Sequence, residues 1–325
     1  MTTQDRFTLI RPDLDRLEAK LRDVSDVTYP PLATVITQLV SAGGKRLRPA
    51  VALLVNQMYP ADAERALSLA AAVEMLHTAS LVHDDFIDEA ALRRGHPTVN
   101  AVWSPIATVR AGDYMFGRAA SYVAETENPE VVRLFADTLQ VIVAGELRQL
   151  FNRAETLPTR DDYYARIYGK TAALFALAAQ AAAALGDAPA ESVGRLRDYG
   201  YHFGMAFQVM DDILDFTADE KTLGKPVGGD LREGIVTLPV LIYAEQTPDA
   251  PALRRLWEYR ADGVNRLAAA DEVVAAVRDS AAIEAARAEA RAMAARAEAA
   301  LAALPAAPAR DILADLAATA VSRQD

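Results

Sequence analysis

The chain has 325 residues, a formal charge of −11 and no cysteine, which excludes disulfides and thiolate metal sites and makes nucleic acid, itself a polyanion, an unsuitable partner. Apolar residues make up 52%, enough for a large core, and alanine dominates them; alanine loses no side-chain entropy in a helix, so composition predicts an all-α protein. An acidic chain that binds phosphate must do so through local basic clusters or metal ions.

Met1 to Arg11 is polar, carries charge of both signs and lacks the apolar core of a signal peptide. Pro30-Pro31 opens a helix that ends at Gly43-Gly44, and Pro49 opens a second. Asp62 to about Asp88 reads as a long helix rich in alanine and leucine, closed by Gly95 and Pro97. Helices are predicted from about Ile106 to Thr126, Pro129 to Arg153, Asp161 to Leu185 and Ala190 to Phe216, followed by a loop from Thr217 to Gly234 and further helices to the end. Only Ile235 to Val240 reads as strand-like, and Pro239 interrupts it. Ala281 to Ala303 is nearly all Ala, Arg and Glu without an apolar heptad, so a surface helix with a solvated charged face is expected there rather than a coiled coil. No stretch works as an interdomain linker, and residues 1–325 read as a single all-α domain. No run of about twenty apolar residues is apparent; the nearest, Ala172 to Leu185, contains Gln180 and reads as a packed internal helix, so no membrane span is expected. A cytoplasmic protein fits these features.

Two segments carry chemistry: Asp84-Asp85-Phe86-Ile87-Asp88 and Asp211-Asp212-Ile213-Leu214-Asp215, both DDxxD and both late in a helical run. Residues i and i+4 share a helix face, so Asp84 pairs with Asp88 and Asp211 with Asp215. Clustered carboxylates among apolar residues repel one another unless divalent cations neutralise them, and oxygen-only ligands suit Mg²⁺. The basic residues lie in Gly43-Gly44-Lys45-Arg46-Leu47-Arg48-Pro49, Arg93-Arg94-Gly95, Gly169-Lys170-Thr171 and Gly224-Lys225; arginine forks match diphosphate oxygens and lysine adds point charge. Gly169-Lys170-Thr171 is not a nucleotide-binding P-loop, because Tyr164 stands where that motif needs glycine and no strand precedes it.

From GGKRLRP through LHTASLVHDDFIDEAALRRGHPTVN, GDYMFGRA, GELRQL, GKTAALF and FQVMDDILDF to LGKPVGGDLREG, the chain resembles the trans-isoprenyl diphosphate synthases of the polyprenyl synthetase family, medium- and long-chain members especially. The resemblance implies the helical isoprenoid synthase fold around a central cavity and a condensation of isopentenyl diphosphate with an allylic diphosphate primer. It implies that Asp84 and Asp88 bind two Mg²⁺ ions on the allylic diphosphate and that Asp211 binds a third, with Asp212 and Asp215 in support. It assigns Arg93, Lys170 and Lys225 to the same diphosphate, and Lys45, Arg48, His77 and Arg94 to that of isopentenyl diphosphate. Thr171 and Gln208 would face the allylic cation with oxygen dipoles. A homodimer is implied, with a heterodimer the alternative. Many relatives carry Lys where this chain has Ile235, which removes one expected diphosphate contact.

Three other readings are weaker. His83-Asp84 is an HD pair, but metal phosphohydrolases of that type need several histidines and the chain has four, none beside Asp211. Terpene cyclases normally replace the second DDxxD by a mixed Asn, Ser or Thr and Glu motif. Non-catalytic partner subunits tend to lose one Asp cluster, and both are intact.

A growing product must run from Asp84 into the apolar core, and one isoprene unit is about as long as one helical turn, about 5.4 Å. The first layer is Ala79 and Ser80, both small; the next are Leu76, Val73 and Ala72, none aromatic. An open tunnel and a product of roughly six isoprene units or more are expected on that count, with Phe135 as the candidate floor.

Overall fold

The computed structural model describes residues 6–93, 95–151, 157–217, 227–259 and 263–322. After a 3₁₀ turn at Thr8–Ile10 the helices are α1 (Arg11–Arg22), α2 (Pro30–Ser41), α3 (Leu47–Met58), α4 (Ala63–Ile87), α5 (Val99–Val102), α6 (Pro105–Ala124), α7 (Pro129–Phe151) and α8 (Arg160–Ile167). A π turn at Tyr168–Ala172 joins α8 to α9 (Ala173–Leu185), which is followed by α10 (Ala190–Thr217), α11 (Gly229–Arg232), α12 (Leu238–Gln246), α13 (Pro251–Glu258), α14 (Gly263–Arg278), α15 (Ala282–Ala302) and α16 (Pro308–Ala320). The fold is all-α, as composition predicts. The one sheet among the described residues is a ribbon pairing Leu92 with Pro97 and Arg93 with His96.

Local chemistry explains most boundaries. Asp62 caps α4 by accepting from the Glu64 and Arg65 amides, and Thr159 with Asp162 forms a capping box on α8. Pro30, Pro105 and Pro251 sit in first turns, where an amide has no helical partner to lose. Pro49 lies inside α3 rather than opening it, since Leu47 is the first helical residue.

Beyond Pro49, and beyond α11 forming inside the expected loop from Thr217 to Gly234, three expectations change. Ile235–Val240 is not strand-like: Thr237 is an extended N-cap, Pro239 occupies the first turn of α12, and the apolar run continues as a helix with Leu238, Val240, Leu241 and Ile242 buried. A short apolar run is ambiguous between buried strand and buried helix, and here the helix forms. Asp161–Leu185 is not one regular helix, because the π turn interrupts it. The third concerns α4, which by length and composition alone could cross a membrane, with a mean hydropathy of 1.2; 78% of that window is buried inside the protein, as in a core helix. The helix at Ala172–Leu185 is buried as expected. On α15, Ala282, Ala286, Ala290, Ala294 and Ala297 are buried while charged residues cover the outside, the solvated charged face that was expected.

The chain forms two compact units. The first comprises 1–137, 177–197 and 304–313. Its axis is α4, apolar all round, packed along α6 and against α3 and α1. The second comprises 138–176, 198–303 and 314–325. Its core gathers Tyr163, Met205, Val209, Ile213 and Phe216 with Leu241 and Val273. Each large apolar side chain so buried contributes about 1.5–3 kcal/mol.

Candidate active site

In the first unit, the last turn of α4 carries Asp84 half-buried and Asp85 buried, while the cap residue Asp88 is exposed. Asp84 and Asp88 are joined through the backbone, the Asp88 amide donating to the Asp84 carbonyl at 2.8 Å. Asp85 turns inward and is held by Arg93, whose Nε and Nη2 both lie 2.7 Å from its Oδ1. Burial raises the Asp85 carboxyl above its ordinary value, Arg93 opposes that, and the Asp88 charge adds to it. Arg93 thus already engages a carboxylate, and it remains partly exposed.

The three cations of GGKRLRP separate into two roles. Arg46 has a left-handed backbone (φ 48°) at the start of α3. Its guanidinium, only 11% exposed, binds Glu18 and Glu74 at 2.6 Å each and donates to the Val40 carbonyl at 2.8 Å. It is a clamp between α1, α2 and α4. Lys45 is exposed and Arg48 half-buried. Arg48 Nη1 lies 3.2 Å from His77 Nε2, so Glu74 and His77, neighbours at i, i+3 on α4, receive the two arginines that flank Leu47.

His83 is a packing residue. Its Nε2 lies 3.1 Å from the Val109 carbonyl, its ring meets Phe116 edge-on at 5.2 Å, and a Cβ on Gly112 would fall 2.2 Å from that nitrogen. A carbonyl accepts, so Nε2 carries the proton and only Nδ1 keeps a lone pair.

In the second unit, the end of α10 carries Asp211 half-buried and Asp212 and Asp215 buried. Asp212 accepts at both oxygens, from Tyr163 Oη on Oδ2 at 2.7 Å and from Gln208 Nε2 on Oδ1 at 2.8 Å. Gln208 Oε1 in turn accepts from the Thr171 hydroxyl at 2.6 Å. Asp215 Oδ2 accepts from the Asp230 amide at 3.1 Å, and the Gly228 amide donates to the Asp215 carbonyl at 2.8 Å, so Asp215 fastens α11 to α10. Burial, and next the Asp230 charge, pushes the Asp212 carboxyl up to about 7. Burial also holds Tyr163 well above the ordinary phenol range, which keeps its hydroxyl the donor.

Thr171 and Lys170 lie in the π turn, Lys170 exposed and Thr171 buried. Small residues let this turn approach its neighbours. A Cβ on Gly204 would come 2.5 Å from Ala172 Cα, and one on Gly145 of GELRQL would come 3.3 Å from Gly169 Cα.

Of the expected chain-length residues, Ala79 and Leu76 are fully buried, Phe135 is buried and Ser80 is half-buried. The Ser80 hydroxyl donates to the His77 carbonyl at 2.8 Å. Arg94 and Lys225 lie outside the described residues. Sequence reasoning overlooked Tyr163, Asp230 and the inward role of Asp85; the signal for Tyr163 was an aromatic pair inside the otherwise polar helix RDDYYARI.

Among the described residues, no three His, Asp or Glu side chains form a ready-made metal cage. Mg²⁺ rarely uses one; it binds through one or two carboxylates with waters and substrate phosphates. The donor set fits that habit: all-oxygen, half-exposed at Asp84 and Asp211, and backed in the second motif by a buried carboxyl, Asp212, whose ionisation a cation would restore.

The model of the polyprenyl synthetase family matches residues 29–274. The heptaprenyl diphosphate synthase component 2 of Geobacillus stearothermophilus is 39% identical over 317 residues, 98% of each chain. A decaprenyl diphosphate synthase structure from Rhodobacter capsulatus superposes with a TM-score of 0.90 at 35% identity, covering 99% of both chains. A geranylgeranyl pyrophosphate synthase structure from Lactobacillus brevis gives the same TM-score, 0.90, at 32% identity and 99% coverage of both. The backbone is therefore alike among relatives named for short and long products, and this chain belongs to the polyprenyl synthetase family.

Proposed function

We propose that this chain, residues 1–325 acting as one domain, is a Mg²⁺-dependent trans-prenyltransferase that makes a polyprenyl diphosphate of roughly six isoprene units or more. The observation that carries the reading is the construction of the two DDxxD helix ends. In each, the first Asp is half-exposed and the second is buried and hydrogen-bonded. Asp84 and Asp88 hold two ions and Asp211 a third; Asp212 and Asp215 support them. When bound, the ions neutralise charge on the departing diphosphate. Arg93, Lys170 and Lys225 bind the allylic diphosphate, while Lys45, Arg48, His77 and Arg94 bind that of isopentenyl diphosphate.

Breaking the allylic C–O bond leaves a cation. The Thr171 hydroxyl spends its only proton on Gln208, so its lone pairs remain to stabilise positive charge. The double bond of isopentenyl diphosphate attacks the cation, a C–C bond forms, and a proton leaves to the released diphosphate. Ile235 supplies no cation to this chemistry.

Product length rests on Ala79, fully buried and without side chain beyond Cβ. A common backbone does not distinguish long from short products, so side chains must. The test is incubation with labelled isopentenyl diphosphate, an allylic primer and Mg²⁺, with product length read by chromatography. Products of roughly six units or more are expected; a stop at about four would overturn the long-chain reading, and no elongation would overturn the enzyme.

We favour a homodimer in the cytoplasm. Exposed apolar residues, Ile106 and Tyr114 on α6 and Val143, Leu147 and Leu150 on α7, suit burial against a second subunit. The relative named component 2 supports the heterodimer as a second reading. Sedimentation of the purified, active chain decides: an active dimer supports the first, and activity only with an added subunit supports the other.

A further inference from the structure

Tyr163 is 1% exposed, and its hydroxyl is spent on Asp212. Around it the hydrogen bonds run in a fixed direction within the second unit. Tyr163 and Gln208 Nε2 donate to the two oxygens of Asp212, and Thr171 donates to Gln208 Oε1. We propose that Tyr163 is a positioning residue for the prenyl-transfer step, acting through Asp212 and Gln208 to fix which way the Thr171 hydroxyl presents its lone pairs.

The amide of Gln208 is the pivot, bonded on one side to Asp212 and on the other to Thr171. An amide can turn over, exchanging its oxygen and nitrogen. As it stands, the NH₂ faces a carboxylate and the oxygen faces Thr171. If it turned, Thr171 would meet an NH₂ group, would have to accept, and would send its own proton elsewhere. That proton would carry positive charge toward a developing cation, the reverse of what the reaction needs. What prevents the turn is a carboxylate acceptor 2.8 Å from the amide nitrogen. Asp212 reaches that position from α10 itself, four residues from Gln208, and Tyr163 fixes its second oxygen from α8. Tyr163 is anchored by other means: Arg166 lies over its ring with the guanidinium 5.4 Å from the centroid and donates to the Val236 carbonyl at 2.8 Å, and the capping box holds the start of α8. The hydroxyl therefore has a fixed platform, and its one proton is given to Asp212.

This inference rests on the roles given above to Thr171 and Gln208, and the experiment separates the two. Wild type, Tyr163→Phe, Gln208→Ala and the double variant are compared as full-length enzyme by steady-state kinetics, by calorimetric binding of Mg²⁺ with inorganic diphosphate, and by thermal melting. Phe keeps the ring and its packing. Each single variant is expected to lower kcat by about tenfold or more, the worth of one hydrogen bond to a charged group, with the KM of both substrates within about threefold of wild type. The double variant should be no slower than Gln208→Ala by more than about twofold, because Tyr163 acts only through Gln208. Diphosphate affinity should stay within about twofold, since Tyr163 supports the amide rather than the anion grip. Losses that multiply in the double variant, or a diphosphate affinity that falls in step with kcat, would overturn the proposal. Wild-type kcat in Gln208→Ala would instead remove the role of Gln208 on which it stands. Should Tyr163→Phe melt before assay temperature, the same cycle is run below its melting temperature with wild type measured alongside, and the same outcomes decide.

Discussion

Arg48 and His77 meet nitrogen to nitrogen, Nη1 to Nε2 at 3.2 Å. The guanidinium has only donors, so the imidazole nitrogen must accept. The contact orders a flexible arginine beside a residue of α4 before any anion arrives. Replacing His77 by Ala should therefore raise the KM for isopentenyl diphosphate by about tenfold, one charge-assisted contact, while kcat at saturation changes little. Steady-state titration of that substrate at fixed primer checks it, and an unchanged KM would remove His77 from the site.

Asp84→Ala and Asp211→Ala should each lower kcat by about a thousandfold or more while circular dichroism stays helical, because removing a metal ligand removes charge stabilisation of the leaving group. Chelation should abolish activity and added Mg²⁺ restore it. Near-normal turnover in either variant argues against the metal assignment.

Ala79 is fully buried, so Ala79→Tyr must place a ring either in a tunnel or in packed protein. If the tunnel exists, product growth stops at about three to four isoprene units and melting shifts little. If the space is packed, overpacking costs about 1–3 kcal/mol and product length stays as in wild type. Product chromatography and a thermal melt on the same preparation separate the two.

Glu74 is buried and binds Arg46, itself held by Glu18 and the Val40 carbonyl. Glu74→Ala leaves a buried guanidinium short of one partner, and breaking such a pair costs about 3–5 kcal/mol. A urea midpoint shift of that size is expected; a shift under about 1 kcal/mol would show that Glu18 alone satisfies Arg46.

Tyr164 is pushed up to about 12 by burial and by its hydrogen bond to Glu289. Its folded value exceeds the ordinary phenol value of 10.0, so the folded state holds the proton longer. The stabilisation is complete below the ordinary value and is lost as pH rises toward the folded one. Tyr164→Phe should thus flatten the fall in stability over this alkaline range, read from urea midpoints at stepped pH; an unchanged slope removes Tyr164 as its source.

The helices were legible because proline, glycine and capping residues punctuate the chain, as at Pro30-Pro31 and Asp62. The Asp motifs were legible because their charge is anomalous among Leu, Ile and Met. What the linear pattern hid is direction. Lys45, Arg46 and Arg48 look alike in sequence, yet only burial against Glu18 and Glu74 makes Arg46 a clamp. Asp85 and Asp212 look like their neighbours, but helical phase turns them inward to Arg93 and Tyr163. Ile235–Val240 misled because a short apolar stretch has no period of its own, and burial of α12 decides its form.

The widened turn at Tyr168–Ala172 sets the angular phase between the two ends of that segment. On a regular α-helix, residues eight apart, such as Tyr163 and Thr171, are offset by roughly 80° around the axis. A π turn closes i→i+5 and so advances less per residue, which reduces that offset. Both side chains reach the same stretch of α10, Tyr163 at Asp212 and Thr171 one turn earlier at Gln208. Deleting one position from the turn would leave the two side chains seven apart on a regular helix, offset by roughly 20°, so the extra residue widens the turn while both still face the same flank of α10.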